Sequence, residues 1–195
     1  MLRSAHLLPL ALLFAAMGPA GATFAQQSLF DEVRFGVYDH DTDLIGSKKE
    51  SGADFVVEVL SPQMVILGLA VGPRFLLGAA VNSAGQTNQI YVGAARSWDL
   101  FRDVLNEDDA VFLEGTLGVT WHNGKIDVIG TPEEQNWKSH GSRVLFRENI
   151  AVGYRFNAKW AVALNLNHIS NAGLADPNEG MNDIGLTVNM KLGPR

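Results

Sequence analysis

The chain contains no cysteine among its 195 residues, which excludes disulfides and thiolate–metal sites. No segment after the N-terminal region reaches the roughly 18 uninterrupted apolar residues of a transmembrane helix, so none is predicted there. Basic residues are also few: 15 Lys and Arg stand against 21 Asp and Glu, and the net charge of −6 argues against nucleic acid as a partner. If the protein enters a membrane, it must do so as a closed β-barrel, because only helices and barrels satisfy their backbone groups in lipid.

The N-terminus, residues 1–25, has the pattern of a signal peptide. Arg3 supplies a positive start, 7–17 form an apolar core too short to span a bilayer, and small residues follow. Cleavage is predicted after Ala22 or Ala25, which leaves residues 26–195 as a single domain. The sequence therefore predicts an exported protein, and the loss of Arg3 makes its net charge one unit more negative.

The exported part contains segments in which apolar and polar residues alternate, the pattern of strands with two different faces. The predicted strands are 30–39, 53–60, 74–82, 88–99, 110–122, 143–156, 160–170 and 183–192. These make an all-β protein with the strand number of the smallest common outer-membrane barrel, an eight-stranded antiparallel up-and-down transmembrane barrel.

Two kinds of barrel fit this alternation, and the charges favour one of them. A soluble lipocalin-type barrel would have an apolar lumen and a polar exterior. Here the polar face carries charges that a lumen can pair, including Arg143, Arg147, Arg155 and Lys191. We therefore predict apolar side chains towards lipid and polar side chains inside.

Strand direction predicts which end of the barrel faces outward. With the N-terminus in the periplasm, the short connection 157–159 is a periplasmic turn, and the long connections after the first, fifth and seventh strands are outer loops. The apolar stretch 61–72 would then be an unusually long inner connection, for which the sequence offers no explanation. Ser170 would lie at the outer end of its strand.

The segment 160–170 carries the strongest chemical signal. Successive strand residues point to opposite faces, so His168 and Ser170 continue the apolar face of Leu164 and Leu166. A serine becomes a nucleophile when a base such as histidine takes its proton. On a lipid-facing surface, such a pair would act on a lipid. Asn171 or a nearby backbone N–H such as that of Gly173 could stabilise an oxyanion.

The short connection between the sixth and seventh strands predicts their register. If Phe156 faces Trp160, then Glu148 faces His168 and Phe146 faces Ser170. A lone carboxylate facing lipid is costly, whereas one beside an imidazole has a role. Glu148 is therefore the candidate acid, with pairing to a neighbouring cation as the alternative.

Several motifs together resemble the lipid A 3-O-deacylase (PagL) family of outer-membrane barrels. They are the segments 168–174 and 177–180, with support from 141–148, 153–156 and 36–41. The resemblance implies an esterase that removes the 3-O-acyl chain of lipid A, with Ser170 as nucleophile, His168 as base, Asn171 and Gly173 at the oxyanion, and no metal or cofactor. It also implies lipid A or lipopolysaccharide as substrate and outer-membrane lipid as surroundings.

One position departs from the family pattern. The family's best-known members carry a glutamate twelve residues after the serine, and here that residue is Asn182. An amide can hold an imidazole but cannot balance its charge. The acid is therefore predicted to be Glu148 by register, with Glu179 or Asp183 as alternatives.

Two other functions remain open from the residues alone. A non-catalytic small outer-membrane barrel of the OmpA type would share the alternation, and a soluble barrel would bind an apolar ligand. The sequence is also compatible with a homodimer.

Overall fold

The computed structural model describes residues 28–192 apart from positions 45 and 70, so the predicted signal peptide lies outside the described residues. The chain forms strands β1 (Glu32–Asp39), β2 (Ala53–Leu60), β3 (Arg74–Asn82), β4 (Gln89–Arg102), β5 (Ala110–His122), β6 (Val144–Arg155), β7 (Trp160–Ser170) and β8 (Met181–Lys191). Each strand pairs antiparallel with its neighbours, and β8 closes onto β1. The predicted eight-stranded up-and-down barrel is confirmed. No helix in the described part of the chain has the length and apolar character of a membrane span.

The outer surface of the barrel is apolar. Phe35, Leu117, Trp121 and Leu186 are among the large apolar side chains on it, and each is more than half exposed. Such a surface is stable against the acyl chains of a bilayer, whereas in water so large an apolar patch would make protein molecules associate. The predicted orientation of the two faces is confirmed.

The interior is polar and its charges are paired. Arg34 donates to both carboxylate oxygens of Glu114, at 2.6 and 2.9 Å. The Tyr91 hydroxyl donates to Glu58 at 2.8 Å, and the Arg147 guanidinium lies 3.8 Å from the centre of the Tyr91 ring. Because buried charges are costly unless they are paired and hydrogen-bonded, this lumen is a packed polar core.

The strands connect in two different ways at the two ends of the barrel. The end that includes Ser170, called the loop end below, carries the connections 40–52, 83–88, 123–143 and 171–180. The other end, called the turn end, carries 61–73, 103–109 and 156–159. Three of the four loop-end connections are long, as predicted, and so is the turn-end connection 61–73.

The register of β6 and β7 is the one predicted from their short turn. The Phe156 N–H donates to the Trp160 carbonyl at 2.9 Å, which closes the turn. Further along the ladder Glu148 faces His168, and Phe146 faces Ser170. The fold therefore brings a carboxylate from β6 to the level of the histidine on β7.

Candidate active site

The two central residues lie on the lipid-facing side of β7 at the loop end. Ile169, between them, is fully buried in a cluster with Leu145 and Met181 inside the barrel. Because adjacent strand residues point to opposite faces, this anchor turns His168 and Ser170 outward, where both are half-buried. The predicted placement of the pair on the apolar face is confirmed.

The His168 imidazole is held by an amide of the neighbouring strand. Its Nδ1 lies 2.8 Å from Oδ1 of Asn182, which is its register partner on β8. An amide oxygen only accepts hydrogen bonds, so Nδ1 carries the proton and Nε2 offers a lone pair. A Cβ added to Gly180 would lie 3.2 Å from His168 Cε1 and 3.8 Å from Nε2, so glycine at 180 leaves this edge of the ring uncovered.

Glu148 lies on the other side of His168, on β6. Its side chain is half-buried, and its Oε2 is buried with no hydrogen-bond partner in the described structure. The ion pairs found among residues 28–192 include none between Glu148 and His168. The register prediction thus put the carboxylate at the right level, but the hydrogen bond to Nδ1 comes from Asn182. His168 therefore has the carboxylate-bearing Glu148 opposite it on β6 and the amide-bearing Asn182 opposite it on β8.

The two alternative acids have other contacts. Asp183 points into the barrel, where it is 1% exposed and accepts hydrogen bonds from Asn167 Nδ2 at 2.9 Å and the Asp41 N–H at 3.1 Å. Glu179 accepts from Lys49 Nζ at 2.5 Å and from the Ser139 N–H at 2.6 Å. Asp183 joins a loop to the barrel and Glu179 joins three loops to one another, and neither is bonded to His168.

Asn171, the residue after Ser170, organises the loop 171–180. Its Nδ2 lies 2.9 Å from the carbonyl oxygens of His140, Ala175 and Pro177, and its Oδ1 accepts the Gly173 N–H at 2.8 Å. The side chain is therefore turned into the loop. The oxyanion roles of Asn171 and Gly173 stay predictions.

The turn itself has an unusual backbone. Ala172 and Gly173 have consecutive positive φ angles of 53° and 76°. The Gly173 N–H of this turn donates to Asn171 Oδ1. The Ala172 N–H donates no hydrogen bond within the described residues, so it is an available donor close to Ser170.

Comparison with known proteins agrees with this geometry. A model of the family described as lipid A 3-O-deacylase (PagL) matches residues 70–191. The chain belongs to this family. The match includes the strands that carry Glu148, His168, Ser170 and Asn182.

Among solved structures, the crystal structure of the outer membrane enzyme PagL superposes with a TM-score of 0.62 at 17% sequence identity. The match covers 83% of this chain and 99% of that one. This likeness shows a shared fold. No curated protein matches the chain.

In this family member, an apolar groove about 660 Å³ in volume begins beside the candidate pair. Two rows of register partners line it on the lipid face: one runs Phe146, Val119, Val92 and Leu77, and the other runs Leu117, Ala94 and Phe75. The first row begins at the register partner of Ser170, and the second at the register partner of Glu148, which itself faces His168. Phe30, which precedes β1 at the turn end, also lines the groove. The groove therefore leads from the loop end towards the turn end, with the small Ala94 among larger side chains.

The long loops that support the site are fastened by buried polar contacts. His40 Nε2 lies 3.0 Å from Glu50 Oε2, and His40 Nδ1 lies 2.9 Å from Asp54 Oδ2. The Lys138 N–H donates to Glu50 Oε1 at 3.0 Å, which joins loop 40–52 to loop 123–143. The His140 carbonyl then accepts from Asn171. Sequence reasoning missed this assembly, because its members are distant in the chain and share no motif.

One part of this assembly has the outline of a cation site. Ligand atoms of His40, Asp54 and Asp183 lie within 4.8 Å of one another. However, both ring nitrogens of His40 already face carboxylates, which favours the protonated imidazolium, and a protonated nitrogen does not bind a metal. We therefore read the cluster as a network of ion pairs that fixes the loop.

These contacts predict how the loop assembly responds to pH. Burial alone would lower the pKa of His40, but the hydrogen bonds to Asp54 and Glu50 outweigh it and raise the pKa to about 10. Burial, with the neighbouring His122, lowers the pKa of His140 from 6.5 to about 4. The His40 contribution is complete below its ordinary value of 6.5 and is lost as the pH rises towards 10. The His140 contribution is lost as the pH falls from 6.5 towards 4.

The assembly is therefore expected to be most stable near pH 6.5, measured by amide hydrogen exchange of loops 40–52 and 123–143 after correction for intrinsic rates. In His140→Leu the acid-side loss should become smaller while the alkaline loss remains, because neither ring nitrogen of His140 has a hydrogen-bond partner in the described structure. Part of the acid-side loss should persist, because the neighbouring His122 is also buried and a buried neutral imidazole resists protonation. If the loops of the unmodified protein lost no protection from exchange at alkaline pH, the role given to His40 would be wrong.

Proposed function

We propose that this protein is an outer-membrane esterase that removes the ester-linked 3-O-acyl chain of lipid A. The observation that carries the proposal is the His168–Ser170 pair on the lipid-facing surface, in a chain of the lipid A 3-O-deacylase family. A soluble substrate would have no route to a nucleophile on this surface. A membrane lipid lies directly against it.

The proposed reaction proceeds through an acyl-enzyme. His168 Nε2 takes the proton of Ser170 Oγ as the oxygen attacks the acyl carbonyl. The bond to the sugar oxygen breaks, and His168 returns the proton to that oxygen. Water, deprotonated by the same Nε2, then attacks the acyl-serine and releases the fatty acid and Ser170.

Two neighbours share the part that one carboxylate plays in a Ser-His-Asp triad. Asn182 would hold the imidazole in the tautomer with Nδ1 protonated, as its 2.8 Å hydrogen bond supports. Glu148, whose Oε2 has no hydrogen-bond partner among the described residues, would stabilise the imidazolium by its charge. In this proposal the orienting group and the acid come from opposite neighbouring strands.

The oxyanion would be stabilised at the turn after Ser170. Asn171 and Gly173 frame this turn, and the Ala172 N–H is the donor that their contacts leave available. We assign Asn171 mainly to positioning, because its amide binds three loop carbonyls.

The loop end would face outward, so that the pair lies in the outer leaflet, where lipopolysaccharide is found. The fatty acyl chain of the substrate would then follow the apolar groove down into the bilayer. The ester carbonyl would lie between Ser170 and the turn 171–173, at the upper end of the groove.

Filling the groove is expected to lower kcat/KM selectively for substrates with long acyl chains. In Ala94→Phe a large ring replaces a methyl group in the row that leads from His168, so kcat/KM for a long-chain ester should fall roughly tenfold while a short-chain ester is nearly unaffected. Val188→Phe also enlarges a lipid-facing side chain, but on β8 and outside the groove, so it serves as the control. Equal losses for both chain lengths would contradict this use of the groove.

The function itself is tested by weighing lipid A from outer membranes with and without the folded protein. Loss of the mass of one 3-hydroxyacyl chain is the expected result. An unchanged lipid A profile, with the barrel shown to be folded, would reject the esterase and favour a non-catalytic barrel.

A further inference from the structure

The turn-end connection 61–73, called the apolar hairpin below, continues the β2–β3 ribbon beyond the barrel wall. Met64 N–H donates to the Pro73 carbonyl at 3.1 Å, and the Gly72 N–H donates back to Met64 at 2.9 Å. Nearer the tip, Ile66 and Leu69 exchange two backbone hydrogen bonds of 2.8 and 3.0 Å. This connection is therefore an ordered ribbon.

Both faces of the apolar hairpin are hydrophobic. Val65 continues the odd-numbered, lipid-facing series of β2, and Leu67, at the tip, is 98% exposed. Ile66 and its bridge partner Leu69 share the other face, and both are exposed, as is Met64. The segment 61–73 contains no charged residue. In water such a ribbon would be a site of aggregation, so its surroundings need to be apolar.

The length of β2 indicates what those surroundings are. Its 8 residues rise about 23 Å along the strand, which is about 18 Å along the membrane normal at a tilt of about 40°. The apolar band of an outer-membrane barrel is about 25 Å tall. The distance from Phe55 to Leu67 corresponds to about 30 Å on the same basis, so the apolar hairpin supplies the missing height and reaches the far edge of the band.

We propose that the apolar hairpin binds the lipid of the leaflet at the turn end, lying at the boundary between acyl chains and headgroups. Its open edges keep it out of the hydrocarbon core, where unpaired backbone groups are not tolerated. Pro62 and Pro73, at its base, reduce the number of unpaired N–H groups there. The ligand is the phospholipid bilayer, because on the β3 side the hairpin continues the lipid-facing surface of Phe75 through Pro73 and Val71. Ser61 and Gln63 are its polar residues on the β2 side.

This interaction goes beyond the esterase reaction, since the hairpin lies at the opposite end from Ser170 and on the far side of the barrel. It would anchor the β2–β3 side of the barrel in one leaflet. It rests on the membrane placement proposed above, which the experiment tests separately.

The absence of native cysteine permits single spin labels. The Leu67→Cys variant is labelled with a nitroxide and reconstituted into vesicles of phosphatidylcholine and phosphatidylglycerol. The rate at which the nitroxide collides with oxygen is compared with the rate at which it collides with a water-soluble nickel chelate. Val57→Cys reports the lipid-facing wall, and Ala158→Cys reports an exposed turn at the same end of the barrel. We expect the oxygen-to-nickel accessibility ratio at position 67 to be several times that at 158 and below that at 57.

A water-like label at 67 with a lipid-like label at 57 would overturn the proposal while leaving the membrane barrel intact. A water-like label at 57 would reject the membrane placement and the hairpin proposal together. Strong spin–spin broadening at 67 in dilute vesicles would also overturn it, in favour of contact between two copies of the chain.

Discussion

Replacing Ser170 with alanine is expected to abolish lipid A deacylation, with kcat reduced roughly 10⁴-fold or more. In the proposed mechanism the Oγ atom forms the new bond to the acyl carbon, so no neighbouring group could substitute for it. The measurement is release of the 3-hydroxy fatty acid from lipid A in detergent–lipid micelles, together with the mass of the remaining lipid A.

The barrel should survive this change, because Ser170 is half-buried at a strand end and its backbone ladder with Phe146 is unaltered. Ser83→Ala, at the loop end of β3 on the opposite side of the barrel, is the matched control and should retain activity. Folding is checked by the different electrophoretic mobility of heated and unheated protein. A Ser170→Ala variant that is folded and still deacylates would show that the nucleophile lies elsewhere.

Much of the fold could be predicted because a membrane barrel obeys a simple periodic rule. Alternation predicted the strand positions, since most lipid-facing residues are apolar and their neighbours along the strand face a polar lumen. The short turn 157–159 then determined the register that brings Glu148 to His168. Each of these inferences depends on local spacing, which a single sequence contains.

The contacts across β7 and β8 could not be predicted in the same way. The loop 171–180 between them has no fixed length rule, so the pairing of His168 with Asn182 followed only once both strands were placed. The turn-directed side chain of Asn171 was missed for a related reason. Its partners include a carbonyl of loop 123–143, and no sequence pattern identifies a backbone acceptor thirty residues away.

This division explains why the acid was the least certain part of the site. A register argument places Cα atoms opposite one another but does not decide which side chain forms the hydrogen bond. His168 has two register partners, Glu148 and Asn182, and each supplies one of the two properties that a triad carboxylate combines. In the proposed mechanism the geometric role belongs to Asn182, and the charge comes from Glu148.

Replacing Glu148 with glutamine is expected to lower kcat roughly 10²-fold with little change in KM. At the general cross-strand spacing of about 5 Å, a carboxylate and an imidazolium interact by about 3 kcal/mol at an effective dielectric constant of about 20, which corresponds to about two powers of ten in rate. Glutamine has nearly the same shape, so packing against β7 is retained. The interaction exists only once His168 is protonated, which places the effect in the transition state and leaves binding of the ground state unchanged.

The decisive control is Asn182→Glu, which restores a carboxylate to the position hydrogen-bonded to Nδ1. With both orientation and charge supplied there, Glu148→Gln in the Asn182→Glu background should cost less than tenfold, measured as kcat on the same lipid A micelles. Such non-additivity would show that the two carboxylates serve the same imidazolium. If Glu148→Gln costs as much in the Asn182→Glu background as in the unmodified chain, Glu148 acts on something other than His168, and the division of the acid's role between two strands is wrong.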